Sequence, residues 1–104
     1  MILEHALLTV REGEQDRFEA AFGRARRLIA ASPGFRGLRL SRCLERGTGY
    51  LLLVEWDSLE AHTEGFRGSP AYQDWKAELH SFYEPFPVVE HFTTVLTAAP
   101  GESA

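Results

Sequence analysis

With a single cysteine, Cys43, the 104-residue chain can form no internal disulfide and no thiolate metal cluster. Basic charge is also scarce. Eleven Lys and Arg stand against fifteen Asp and Glu, a formal charge of −4, so the basic stripe that nucleic-acid binding needs is missing. The one local basic cluster, Arg24, Arg26 and Arg27, falls near the end of a predicted helix, where cations complement the partial negative charge. No apolar run reaches the length of a membrane span. No charged segment followed by an apolar core, in the manner of a secretion signal, opens the chain. These absences predict a soluble cytoplasmic protein with neither nucleic acid nor membrane as partner. HExxH, His-x-His, serine-nucleophile and phosphate-loop signatures are missing too, so no metal and no flavin or nicotinamide cofactor is implied.

What the chain has in excess is aromatic residues in one place. Phe66 to Phe92 holds seven of its twelve Phe, Tyr and Trp residues, together with His80 and His91. So many wide side chains with polar tips suit the lining of a pocket for a flat organic ligand.

The periodicities give an order of elements. Ile2 to Val10 reads as a strand, and from Glu14 the apolar residues Phe18, Ala21, Phe22, Ala25, Leu28 and Ile29 recur at helical spacing up to Ser32-Pro33-Gly34. Gly37 to Glu45 alternates as a strand, the glycine-bearing Arg46 to Gly49 segment turns the chain, and Tyr50 to Trp56 is apolar on both faces except at Glu55. Ser58 can cap a short helix from Leu59 to about Arg67, and Ser69-Pro70 restarts it. Tyr72, Trp75, Leu79, Phe82 and Tyr83 then share a stripe until Glu84-Pro85-Phe86-Pro87 breaks the helix, and Val88 to Leu96 reads as a last strand.

The order βαββαβ predicts an α+β, ferredoxin-like fold with a four-stranded antiparallel sheet and both helical regions on one face. We expect one domain over residues 1–97 and a flexible tail over 98–104. Apolar residues on the second sheet face would leave a bare patch that monomers avoid, so a homodimer through the sheet faces is expected.

The order of elements, the run LLLVEWDSLEAHTEGFRGSPAYQDWKAEL from Leu51 to Leu79 and the closing FPVVEHF from Phe86 to Phe92 resemble the antibiotic biosynthesis monooxygenase family. The resemblance spans Ile2 to about Leu96. It implies a dimeric α+β barrel with a small-molecule cavity between sheet and helices. Some members oxygenate aromatic polyketides with molecular oxygen alone, and some degrade haem. The asparagine, tryptophan and histidine of the haem-degrading branch align with His5, Gly65 and about Lys76, so none matches. A rival reading is a non-catalytic module of the same fold that binds a small apolar ligand, and a third is haem binding through His80.

Oxygenation without a cofactor needs a base to form an electron-rich phenolate, donors to hold the anion, and a dry cavity shaped for the ring. On this reading His5 or His62 is the base, and Arg67 and Tyr72 are the donors. Trp56, Phe66, Trp75, His80, Phe82 and Phe86 line the pocket for a small aromatic or quinone-like substrate. Such a helical stripe is more often ordinary core than a pocket wall, Trp56 also reads as core, and His62 reads as well as a surface or capping residue. The dipeptide Glu-His occurs as Glu4-His5 and as Glu90-His91. Within each strand the two residues point to opposite faces, so a Glu-His pair can form only between strands.

Overall fold

In the computed structural model, which describes residues 1–103, the elements follow the predicted order. They are β1 (Ile2–Thr9), α1 (Gln15–Ala30), β2 (Phe35–Arg42), β3 (Gly49–Trp56), a π-helical turn (Ala61–Phe66), α2 (Pro70–Leu79), a 3-10 turn (His80–Phe82) and β4 (Val89–Phe92). The four strands form one antiparallel sheet in the order β2-β3-β1-β4. This is the ferredoxin-like α+β arrangement.

Pairing fixes which side chains share a face, which the two-residue period alone leaves open. Glu4 stands opposite Val54 and His91, and Ala6 opposite Leu52 and Val89. These residues point toward the helices. His5, Leu53 and Glu90 form the next row, on the other face. The core lies on the helix side, where Ala6, Leu8, Leu52, Val54 and Trp56 pack against Phe18, Phe22, Ala25 and Ile29 of α1 and Trp75 and Leu79 of α2. Phe22 meets Trp75 edge-on at 5.3 Å, and an Arg24–Glu78 ion pair of 2.9 Å ties the two helices at the surface.

Several boundaries depart from the sequence reading. β2 starts at Phe35 rather than Gly37 and ends at Arg42, with a bulge between Phe35 and Gly37. Leu44, expected inside that strand, is 95% exposed because the chain has already left the sheet. α2 stops at Leu79, ahead of the Glu84-Pro85 break, and the 3-10 turn carries Phe82 onto Phe18. β4 ends at Phe92, so Val95 and Leu96, expected to extend it, lie exposed. Of the expected tail, residues 98–103 hold a turn at Pro100-Gly101, and Ala104 lies outside the described residues. No helix among the described residues is long and apolar enough to cross a membrane.

The short helix after Ser58 is the departure that matters most. Ser58 Oγ caps it as expected, accepting from the Ala61 amide at 3.1 Å, but the turn is then wound as a π-helix in which the Arg67 amide reaches back to the His62 carbonyl at 3.0 Å. Such turns recur at functional sites because they re-aim side chains. Here the winding turns both His62 and Phe66 into the core. Two glycines permit it. A Cβ on Gly68 would lie 2.4 Å from the Glu64 carbonyl oxygen, and one on Gly34, whose φ is +85°, would lie 2.7 Å from Cβ of Ala61. Ser69 then caps α2 by accepting from the Tyr72 amide at 3.3 Å, with Pro70 in the first turn.

Candidate functional site

Between the sheet and the helices lies a cavity of about 150 Å³. Its floor is Ala6, Leu8, Leu52 and Val89, its walls are Phe22, Ile29, Phe66, Trp75 and Leu79, and Phe86 and Pro87 from the segment before β4 stand over it. Glu4, His62, Arg67, Tyr72, His80 and Tyr83 bring polar atoms to this mostly apolar lining. A larger groove of about 440 Å³ runs along Glu19, Arg26, Arg42 and Tyr50, but it is open to solvent. Three of its polar groups are already spent on each other, Glu19 accepting from Arg42 and from Tyr50 Oη. The less open of the two is the candidate site, because a concave, largely apolar space with a few convergent polar groups is what small ligands occupy.

At one end of the cavity sits a buried polar chain. Glu4 is 6% exposed and His62 3% exposed. The Trp56 indole N–H donates to Glu4 Oε1 at 2.9 Å, and His62 Nε2 lies 3.4 Å from the same oxygen. On the other side of the His62 ring, Nδ1 is 2.7 Å from Nε2 of His91. The Trp56 indole stacks on the His62 ring, with centroids 5.3 Å apart and planes 14° apart. Glu4 comes from β1, Trp56 from β3, His91 from edge strand β4 and His62 from the π turn, so four elements contribute to one polar chain. Each ring nitrogen of His62 faces a different neighbour. The lone pairs therefore form a line rather than a centre, and no three such residues among those described could hold a metal ion.

Burial sets the electrostatics. It pushes the Glu4 carboxyl above its ordinary value, against the Trp56 hydrogen bond and the Arg67 charge, which pull it down. His62 is pushed down to about 3, first by burial and then by the positive charges of Arg67 and His91. Burial, and after it Arg67, also lowers His91. Near neutral pH His62 is therefore an uncharged ring beside a carboxyl group that ionises reluctantly.

Of the residues picked from sequence, His62, Arg67, Tyr72, Phe66, Trp75, His80 and Phe86 all line this cavity. Arg67 is exposed at the mouth and makes no ion pair among the described residues. Tyr72 is half-buried, edge-on to Phe66 at 5.5 Å and with Lys76 Nζ 5.5 Å from its ring centre. His80 packs against Phe86 at 4.9 Å, and burial, then Lys76, lowers its basicity.

Three picks fall elsewhere. His5 lies on the opposite sheet face, edge-on to Phe92 at 5.5 Å, because the pairing register turns its strand neighbour Glu4 inward instead. Trp56 stands behind the cavity wall, fully buried, and acts through its N–H on Glu4. Phe82 packs on Phe18 outside the lining. Glu4 and His91 stand outside the residues expected from sequence, which reached them only through the possibility of a Glu-His pair between strands. The available signal was a glutamate in the row Ile2, Glu4, Ala6, Leu8, whose other members are apolar.

The antibiotic biosynthesis monooxygenase family model matches residues 1–78. The chain is 54% identical over 95 residues to the uncharacterized protein YczJ of Bacillus subtilis (strain 168), covering 91% of this chain and all of that one. Among solved structures, a Bordetella bronchiseptica protein named for the same family is 33% identical, with a TM-score of 0.87 over 91% of this chain and 97% of that one. SnoaB, a cofactor-independent oxygenase from Streptomyces nogalater, shares the fold at 22% identity and a TM-score of 0.81, over 92% of this chain and 94% of that one. The chain belongs to the antibiotic biosynthesis monooxygenase family.

Proposed function

We propose that this member of the family is a cofactor-independent oxygenase that works on a single-ring phenol or hydroquinone. The observation that carries the reading is the placement of a buried carboxyl-histidine pair at the wall of a ring-sized apolar cavity. An apolar cavity of this size takes up one benzene ring. It is far too small for a porphyrin, which weighs against haem binding through His80.

In the reaction, the Glu4–His62 pair removes a phenolic proton, and the guanidinium of Arg67 and hydroxyl of Tyr72 hold the resulting anion. The anion gives up electrons to dioxygen. With a hydroquinone, one oxygen atom enters the ring to give a hydroxyquinone and the other leaves as water. All four electrons come from the substrate, so the balance requires no flavin or metal. Phe66 and Trp75 hold the ring, and the dry walls protect the reactive anion from water.

The working form on this reading is a cytoplasmic homodimer through the open sheet face. Leu7 is 56% and Phe92 46% exposed there, beside the half-buried Leu3, Leu51 and Leu53, a patch that a second copy would cover.

Oxygen uptake by the purified protein with hydroquinones of one, two and three fused rings tests the proposal. Uptake is expected with one ring, falling away as rings are added, and it should drop in Glu4→Gln, His62→Ala and Tyr72→Phe. No uptake with any ring size, or uptake unchanged in all three variants, overturns it. Binding of a one-ring ligand without oxygen consumption would establish the non-catalytic module instead.

A further inference from the structure

A carboxyl group buried as deeply as Glu4 must lose its proton before it can act as a base, and its burial leaves little direct contact with water to take that proton. Burial also forbids storing that proton as a charged imidazolium on His62. The geometry supplies a path that avoids both obstacles. His62 has one nitrogen toward Glu4 and the other 2.7 Å from His91, and His91 lies half-buried on β4, the edge strand of the sheet.

We propose that Glu4 is the catalytic base and that His62 and His91 form a proton wire from it to the sheet edge. In its protonated form Glu4 passes its proton to Nε2 of His62, His62 releases the one on Nδ1 to Nε2 of His91, and His91 releases the one on its own Nδ1 to solvent. The carboxylate so formed takes the proton of the substrate hydroxyl and hands it to the oxygen atom that leaves as water. Each ring stays neutral, with its proton on Nδ1 while Glu4 is protonated and on Nε2 while Glu4 is ionised. Reverse transfer along the same path returns one proton to Glu4 and resets the wire. The long link is the 3.4 Å separation of Glu4 and His62, which the carboxyl has to close by a small turn for the proton to pass.

Trp56 fixes both members of that link, donating to Glu4 and stacking on His62. Arg67, whose charge acts on Glu4, His62 and His91 alike, disfavours a trapped positive charge anywhere along the wire and so favours release at its outer end. This assignment takes its substrate from the oxygenase reading, but the proton order in the free protein does not depend on it.

Two measurements on the full-length protein test the wire. The first is nuclear magnetic resonance of ¹³C-labelled glutamate and ¹⁵N-labelled histidine. As pH rises through the Glu4 midpoint, His62 and His91 should move their protons from Nδ1 to Nε2 together with ionisation of the carboxyl, each ring remaining neutral. A His62 that keeps one tautomer throughout, or becomes doubly protonated at that midpoint, overturns the proposal. The second is His91→Phe, which cuts the outer end while keeping a ring in the half-buried site. Its kcat for oxygen uptake should fall by about 10- to 100-fold with KM unchanged, and added imidazole should restore it. A kcat that is unchanged, or lowered and not restored, overturns the wire. If the native protein consumes no oxygen at all, the oxygenase reading fails, and the tautomer titration still decides the proton order.

Discussion

The sheet carries two cross-strand Glu-His pairs, Glu4 with His91 and His5 with Glu90, side by side on the same two strands and facing opposite ways. Their chemistry differs because of what covers them. On the helix side the π turn lays His62 against Glu4, Trp56 donates to the carboxyl, and both Glu4 and His62 are buried. On the outer side Glu90 is exposed, and His5 packs its ring on Phe92 with Nδ1 buried and unpartnered. The same two residue types thus make a buried, hydrogen-bonded cluster on one face and part of a partly exposed apolar patch on the other. Residue identity does not make a site; desolvation together with a third partner does.

Breaking the inner pair from behind should have the largest effect. Trp56→Ala removes a fully buried indole together with the donor to Glu4, and should cost about 3–5 kcal/mol of stability in chemical denaturation. A loss below about 1 kcal/mol would show that the indole does not hold the inner pair together.

On the outer face, Leu7→Glu combined with Leu51→Glu places charge in the middle of the exposed apolar patch. Light scattering should move from twice 11.7 kDa to 11.7 kDa, while the inner site keeps its histidine tautomers. Native protein already at 11.7 kDa would leave that patch without the partner proposed for it.

The two faces should also separate by pH. His62 is lowered in the folded state from 6.5 to about 3, so its contribution to stability is fully present above 6.5 and is lost as pH falls from there toward 3. Glu4 has the opposite sign. Its folded value is raised, so its contribution is fully present below the ordinary carboxyl value of 4.5 and is lost as pH rises through the higher folded one. Glu4→Gln should therefore stabilise the protein more at neutral pH than near pH 4.5, and His62→Phe should weaken the loss of stability between pH 6.5 and 3. Parallel stability-pH curves for native protein and both variants would contradict the assigned burial.

The smallest expected effect is that of His5→Leu. It removes an unpartnered buried nitrogen from an apolar surface and should leave stability unchanged or raise it by about 1 kcal/mol, measured as a shift in Tm. A clear loss would mean that the outer histidine has a hydrogen-bond partner across an interface.

The order of elements was legible because each has its own period and its own stop signal. The Ser69-Pro70 restart and the cap at Ser58 were legible for the same reason. Strand four was over-read because Thr93 to Leu96 suits a strand, whereas strand length is set by β1, which pairs β4 only from Leu3 to Ala6. The site was legible in its ring-bearing half, since Phe66, Tyr72, Trp75 and Phe86 come from one dense segment. Its acid-base half was half hidden. His62 was found, but Glu4 and His91 could be told from His5 and Glu90 only by the pairing register, where a slip of one residue exchanges the two faces. The π winding that brings His62 to them follows no 3.6-residue wheel.

Oxygen uptake with a one-ring hydroquinone, measured in parallel for Glu4→Gln and Glu90→Gln, tests the distinction between the two faces most directly. The inner substitution should lower kcat/KM by about 10²- to 10⁴-fold, the range for loss of a general base, and the outer one should leave it within about twofold. Equal losses in the two variants, or none in either, would contradict the assignment of the chemistry to the buried carboxyl.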